Sequence, residues 1–230
     1  MKSEMTWVTF GEHTANVKTA VHFFPYGGSI SATYPVDLTL TIFGEALETV
    51  EVTMEGARLS QPEGIVIDQV FPALLTDYSG LYGLKIKITC DKQLSLDLSG
   101  SSCMTELFYP EGVVRFAAKE FDNNMEAVSG VCRSDQDCSS SLIALNCSAE
   151  SQSNNFPAGM MHSKQHQLLE PNAVREYTIS ENYLESGTQQ NCGLGLVNFQ
   201  SFGFKPSSEM VYFAIDREAK TSYPVEVCTL

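Results

Sequence analysis

No apolar run in this 230-residue chain approaches the roughly 20 residues that a membrane-spanning helix requires, which excludes a helical span. Basic residues are scarce as well. Lys and Arg number 14 against 28 Asp and Glu, for a net charge of −14, and nowhere do they form a run or a stripe. The imbalance is even along the chain, with 6 basic and 13 acidic groups in residues 1–110 and 8 and 15 in residues 111–230. Nucleic-acid binding needs cations to replace the counterions of the phosphates, so that class is excluded. An anionic membrane surface is disfavoured for the same reason. The amino-terminal stretch Met1-Lys-Ser-Glu-Met-Thr-Trp7 lacks the apolar core of a signal peptide. That predicts an intracellular protein unless a signal was removed beforehand. No phosphate loop, dinucleotide fingerprint, G-x-S-x-G elbow or metalloprotease helix is present, and there are only 4 histidines and 1 tryptophan.

The 7 cysteines are too few for a disulfide-stapled scaffold, and an odd count leaves at least one thiol unpaired. Cys132 and Cys138 flank a loop whose five intervening residues exceed the spacing of zinc knuckles. Asp135 and Asp137 inside it lack the further oxygen ligands and the glycine of a calcium loop, so an exposed loop without an ion is expected. Asn146-Cys147-Ser148 fits the N-glycosylation acceptor pattern, as chance triplets also do.

What the chain does have is alternation. Leu84, Ile86, Ile88 and Cys90 alternate with Lys85, Lys87 and Thr89, and Leu94, Leu96 and Leu98 follow after Asp91-Lys92-Gln93. Side chains of a strand point alternately to opposite faces, so the two runs read as an antiparallel hairpin with Lys85 and Lys87 in water. Leu38, Leu40 and Ile42, then Val50, Val52 and Met54, repeat the pattern, and Trp7–Phe10, Val17–Phe24 and Ile65–Phe71 supply three more strands. Seven short strands separated by turn signals predict a β-sandwich over residues 1–110. Ser79-Gly80-Leu81-Tyr82 resembles the tyrosine corner of immunoglobulin-like domains, which implies that fold for the first half. Leu84 stands where the second cysteine of such domains would be, and the third strand has no tryptophan. Tyr109-Pro110-Glu111-Gly112 is the expected boundary. Residues 111–230 then form a second β-rich domain with longer loops and one short helix near 158–169, between Pro157 and Pro171. The fold class is all-β, two sandwich-like domains, with one large sandwich as the rival arrangement.

Candidate chemistry is sparse. His162 and His166 lie four apart in the expected helix and share a face. Glu170 lies about 12 Å along the axis from His162, too far for one ion, so no metal and no cofactor is expected. Gln190-Asn-Cys192-Gly-Leu-Gly195 looks briefly like the nucleophile segment of papain-like cysteine proteases. Gly195 occupies the nucleophile position, however, and no histidine follows His166. Tyrosines lie near turns, and Tyr26, Tyr78 and Tyr109 are the candidate ligand-binding residues, since an amphipathic ring serves a binding face. The sequence points to a non-enzymatic module that binds another protein through loops or sheet edges. The alternatives are a carbohydrate-binding domain, marked by a row of exposed tyrosines, and a hydrolase, marked by one of His13, His22, His162 or His166 beside a nucleophile or carboxylate.

Overall fold

A computed structural model describes residues 2–24, 36–59, 63–91, 102–121, 129–133, 138–153, 156, 168–179, 194–198, 210–218 and 223–229. The chain folds as two compact units, Met1–Phe121 and Asp122–Leu230.

In the first unit, β1 (Lys2–His13) leads into β2 (Lys18–Phe24), followed by β3 (Val36–Gly44), β4 (Leu47–Ala57) and the short β5 (Ile65–Val66). Two single-turn helices, α1 (Ile67–Val70) and α2 (Pro72–Leu75), precede β6 (Gly80–Asp91), β7 (Ser102–Tyr109), β8 (Gly112–Ala117) and β9 (Lys119–Glu120). The strands form a five-stranded sheet in the order β4-β3-β6-β1-β9 and a four-stranded sheet in the order β5-β2-β7-β8. All described pairs within them are antiparallel.

The predicted alternation sets the register. Leu40 and Trp7 lie on either side of Ile86, and Leu38 and Met5 on either side of Ile88, so one face of the larger sheet is a grid of apolar side chains. Leu38, Leu40, Ile42, Leu84, Ile86 and Ile88 are fully buried against Val21, Phe23 and Cys103 of the smaller sheet. Val50 and Val52, on strand β4 at the sheet edge, are half-buried. Two threonines bond across the core: Thr9 of β1 and Thr105 of β7 are both buried, with their hydroxyls 2.6 Å apart. Lys85 and Lys87 take the opposite face, as expected. Lys87 lies 3.6 Å from Glu4, and the Lys85 ammonium sits 5.6 Å from the centre of the Phe121 ring.

Several expectations are corrected. Strand β6 pairs with β1 along its whole length and with β3 from Gly83 to Thr89. A strand has two edges, so the expected hairpin partner cannot pair with residues 84–89; residues 94–98 themselves lie outside the described residues. Ser102–Tyr109 forms β7, although its mixed sequence lacks a clean apolar rhythm. The run from Ile65 to Phe71 is strand only at its start and then helical. Ile67, Phe71 and Leu75 recur every fourth residue, all three are buried, and Pro72 opens α2, where its missing N–H costs nothing. The expected boundary Tyr109-Pro110-Glu111-Gly112 is the tip of the β7–β8 hairpin, with Tyr109 opposite Gly112. The unit continues to Phe121, whose N–H donates to the Thr6 carbonyl. The strand order also departs from the immunoglobulin arrangement, in which the first strand neighbours the second and the last neighbours the penultimate. Here β1 lies between β6 and β9, so the first strand neighbours the last, and β2 lies in the other sheet.

In the second unit, β10 (Ser129–Arg133) pairs with β15 (Leu194–Asn198), and β12 (Gln152–Ser153) with β13 (Leu168–Leu169). The remaining strands, β11 (Cys138–Asn146), β14 (Val174–Thr178), β16 (Met210–Glu218) and β17 (Pro224–Thr229), make a sheet ordered β14-β11-β16-β17. From Ser140 to Asn146 and from Met210 to Arg217 every residue of β11 and β16 is buried, so both faces of this sheet are covered along its two central strands. Where the short helix was expected, Leu168 and Leu169 are strand; residues 158–167 lie outside the described residues.

Candidate functional site

Strand β1 ends in two polar residues that face different partners. Glu12 and Thr19 bond reciprocally: the Glu12 N–H donates to Thr19 Oγ1, which donates to the Glu12 carbonyl, both at 3.1 Å. The Glu12 carboxylate accepts from the Tyr109 hydroxyl at 2.7 Å. His13 Nδ1 lies 3.4 Å from Asp68 Oδ1 on α1. Burial pushes the nearby Tyr82 hydroxyl far up from its ordinary value, and the Asp68 charge adds to this. Tyr82 is therefore held neutral, its ring lying against Gly11.

A second imidazole–carboxylate pair lies on the outer face of the smaller sheet. His22 Nε2 is 2.8 Å from Glu106 Oε2, and Glu106 Oε1 accepts from Arg115 Nε. Glu106 and Arg115 are opposite neighbours on β7 and β8. The sheet leaves no room above the ring for a side chain on β5's approach. Gly64 has φ +67°, and a Cβ there would fall 2.6 Å from the His22 ring. This network ties β2, β7 and β8 together across a face. Alternation through Met104, Glu106 and Phe108 would have found it, but β7 was not legible as a strand.

Each of these two histidines thus meets a carboxylate, which can orient an imidazole, but acid–base catalysis of acyl transfer also needs an activated nucleophile within hydrogen-bond reach. Cys103 cannot serve, because burial pushes its thiol well above the ordinary value and keeps it protonated and inert. His162, His166 and Cys192 lie outside the described residues. No group of three metal-ligating side chains occurs among the described residues, and no described helix is long and apolar enough to cross a membrane.

Of the candidate tyrosines, Tyr26 lies outside the described residues. Tyr78 and Tyr109 are half-buried with their hydroxyls directed inward, Tyr78 donating to the Leu81 carbonyl and Tyr109 to Glu12. Tyr82, Tyr177 and Tyr212 are buried. The sequon is also turned inward. Asn146 is fully buried, and its Nδ2 lies 2.8–3.0 Å from the carbonyls of Glu150, Leu169 and Glu170, which share its two N–H donors.

Strand β4 lies at the edge of the larger sheet. Among the described residues β4 has a ladder partner, β3, on one side only. Its core-facing Leu47, Val50, Val52 and Met54 are only half covered, while Glu48, Glu51 and Glu55 are exposed. An edge strand presents a row of N–H and C=O groups that can receive another chain.

Fold and local chemistry together define an all-β protein whose first unit is a two-sheet sandwich. The chain matches no known family model, and no similar protein was found among curated proteins or solved structures.

Proposed function

We propose that this protein is a non-enzymatic interaction module that binds another protein through a sheet edge, the edge being β4 of the first unit. The observation that supports the reading is the eleven-residue length of β4 combined with half-covered apolar side chains along its inner face. A strand added to such an edge gains main-chain hydrogen bonds along its length and covers alternate apolar side chains, which is the physics of β-strand addition. The net charge of −14 supports a protein partner over a nucleic acid. Selection of displayed peptides against the full chain tests the proposal. Enriched sequences are expected to be extended and apolar at alternate positions, and to lose binding to a Val52→Lys variant that keeps the wild-type near-ultraviolet spectrum. Enriched peptides indifferent to that substitution would overturn it.

A further inference from the structure

The charges along β4 restrict the partner further, and this step rests on the edge reading above. On the face opposite Val50, Val52 and Met54 the strand exposes Glu51, Thr53 and Glu55, with Glu48 exposed towards the β3–β4 turn. Thr41 of the neighbouring β3 donates to Glu51 at 3.2 Å, so this carboxylate lies over the sheet and beside the edge. Residues directly opposite one another in an antiparallel pair bring their Cβ atoms within about 5.5 Å, and like charges placed there are destabilising.

A second copy of this chain is therefore a poor occupant. Antiparallel self-pairing that keeps the Val and Met positions together centres on Glu51, Val52 or Thr53. The first register puts Glu51 directly against its own copy, and the third puts Glu51 against Glu55. The second leaves each Glu51 diagonal to both glutamates of the other strand. Two of the three apolar-matched registers set carboxylates directly opposite one another, and the third sets them on the diagonals.

We infer that the β4 edge takes an extended segment of another protein in which apolar residues alternate with Lys or Arg. The apolar residues would lie opposite Val50, Val52 and Met54, and the cations opposite Glu51 and Glu55. Main-chain bonds supply most of the affinity, and the two charge pairs supply selectivity and a salt-dependent association rate.

The test uses the full chain and three eleven-residue peptides with valine at alternate positions and Lys, Ser or Glu at the others. Binding is read by fluorescence anisotropy, and the site by amide hydrogen exchange. The lysine peptide should slow exchange of β4 amides and bind roughly tenfold more tightly than the serine peptide, with the gap closing in high salt. A Glu51→Lys/Glu55→Lys variant changes only exposed side chains and should invert the order, favouring the glutamate peptide. If the serine peptide protects β4 as well as the lysine peptide does, the edge reading stands and the charge inference falls. If no peptide slows β4 exchange, both fall.

Discussion

Oδ1 of Asn146 accepts two hydrogen bonds from Ser148, one from its main-chain N–H at 3.0 Å and one from its hydroxyl at 2.7 Å. Ser148 Oγ also lies 2.7 Å from the Glu150 carbonyl, so its one proton is shared between that oxygen and Oδ1 of Asn146, and Nδ2 of Asn146 reaches the carbonyls of Glu150, Leu169 and Glu170. One side chain thus closes the turn after β11 and holds the segment after β13. The triplet that reads as a glycosylation acceptor is a buried clip.

Replacing Asn146 with Ala leaves several buried polar groups without their partner. Each such group costs about 1–3 kcal/mol, so the variant should lose at least about 3 kcal/mol, read as a lower urea midpoint for the second unit. Protein folded after passage through a glycosylating host should keep its unmodified mass at this asparagine. A glycan on folded protein, or a midpoint within error of wild type, would contradict the clip.

The register of β6 makes a paired prediction. Ile86→Ala empties a fully buried position flanked by Leu40 and Trp7 and should cost about 2–5 kcal/mol. Lys87→Ala removes a solvent-facing pair with Glu4 and should change stability by less than about 0.5 kcal/mol. A larger cost for Lys87→Ala than for Ile86→Ala would mean that the strand is out of register by one residue.

Why some elements were legible and others not follows from their environments. Strands β3 and β6 have one buried and one wet face, so Leu38, Leu40, Ile42, Leu84, Ile86 and Ile88 announce themselves by alternation. Strand β7 sets Glu106 between Met104 and Phe108 on its outer face, and buries Thr105 inward for its bond to Thr9, so neither face reads as uniformly polar or apolar. The period of four in Ile67, Phe71 and Leu75 was available in the sequence, but Ile65, Val66, Ile67, Val70 and Phe71 together mimic a β run. The carboxylates beside His13 and His22 come from 55 and 84 residues further along the chain. No local pattern encodes such a meeting.

The end of the first unit can be tested by truncation. A fragment ending at Phe121 keeps β8 and β9, including Phe116 stacked on Phe10 at 4.7 Å and the bond from Phe121 to Thr6. It should melt cooperatively. A fragment ending at residue 110 loses both strands, exposes Phe10 and leaves one edge of β7 open, so it should melt at least several degrees lower or without cooperativity. Equal midpoints would mean that β8 and β9 contribute nothing to this unit.

Alkaline pH should weaken the fold in a defined order. Burial raises Cys103, Tyr82, Tyr212 and Tyr78 above their ordinary values, with the Glu45 charge adding to the shift of Tyr78. A group raised in the fold favours the folded state fully below its unfolded value, and that contribution is lost as pH rises towards the folded value. The loss therefore begins above 9.0 for Cys103 and above 10.0 for the tyrosines. Thermal midpoints should fall from about pH 9 upward, and in Cys103→Ala the onset should move to about pH 10. A profile flat to pH 11 would contradict the burial of these groups.

Strand β6 is an inner strand of a two-sheet sandwich in which β4, among the described residues, has a ladder partner on one side only, and residue-resolved amide hydrogen exchange of the unliganded chain tests this most directly. The amides of Leu84 to Ile88, bonded to β1 and β3, should exchange at the slowest rates in the first unit. Along β4 from Val50 to Met54, every second amide should exchange orders of magnitude faster, because only alternate N–H groups face β3. Uniformly slow exchange along β4, matching that of β6, would show the edge already covered and would contradict the account.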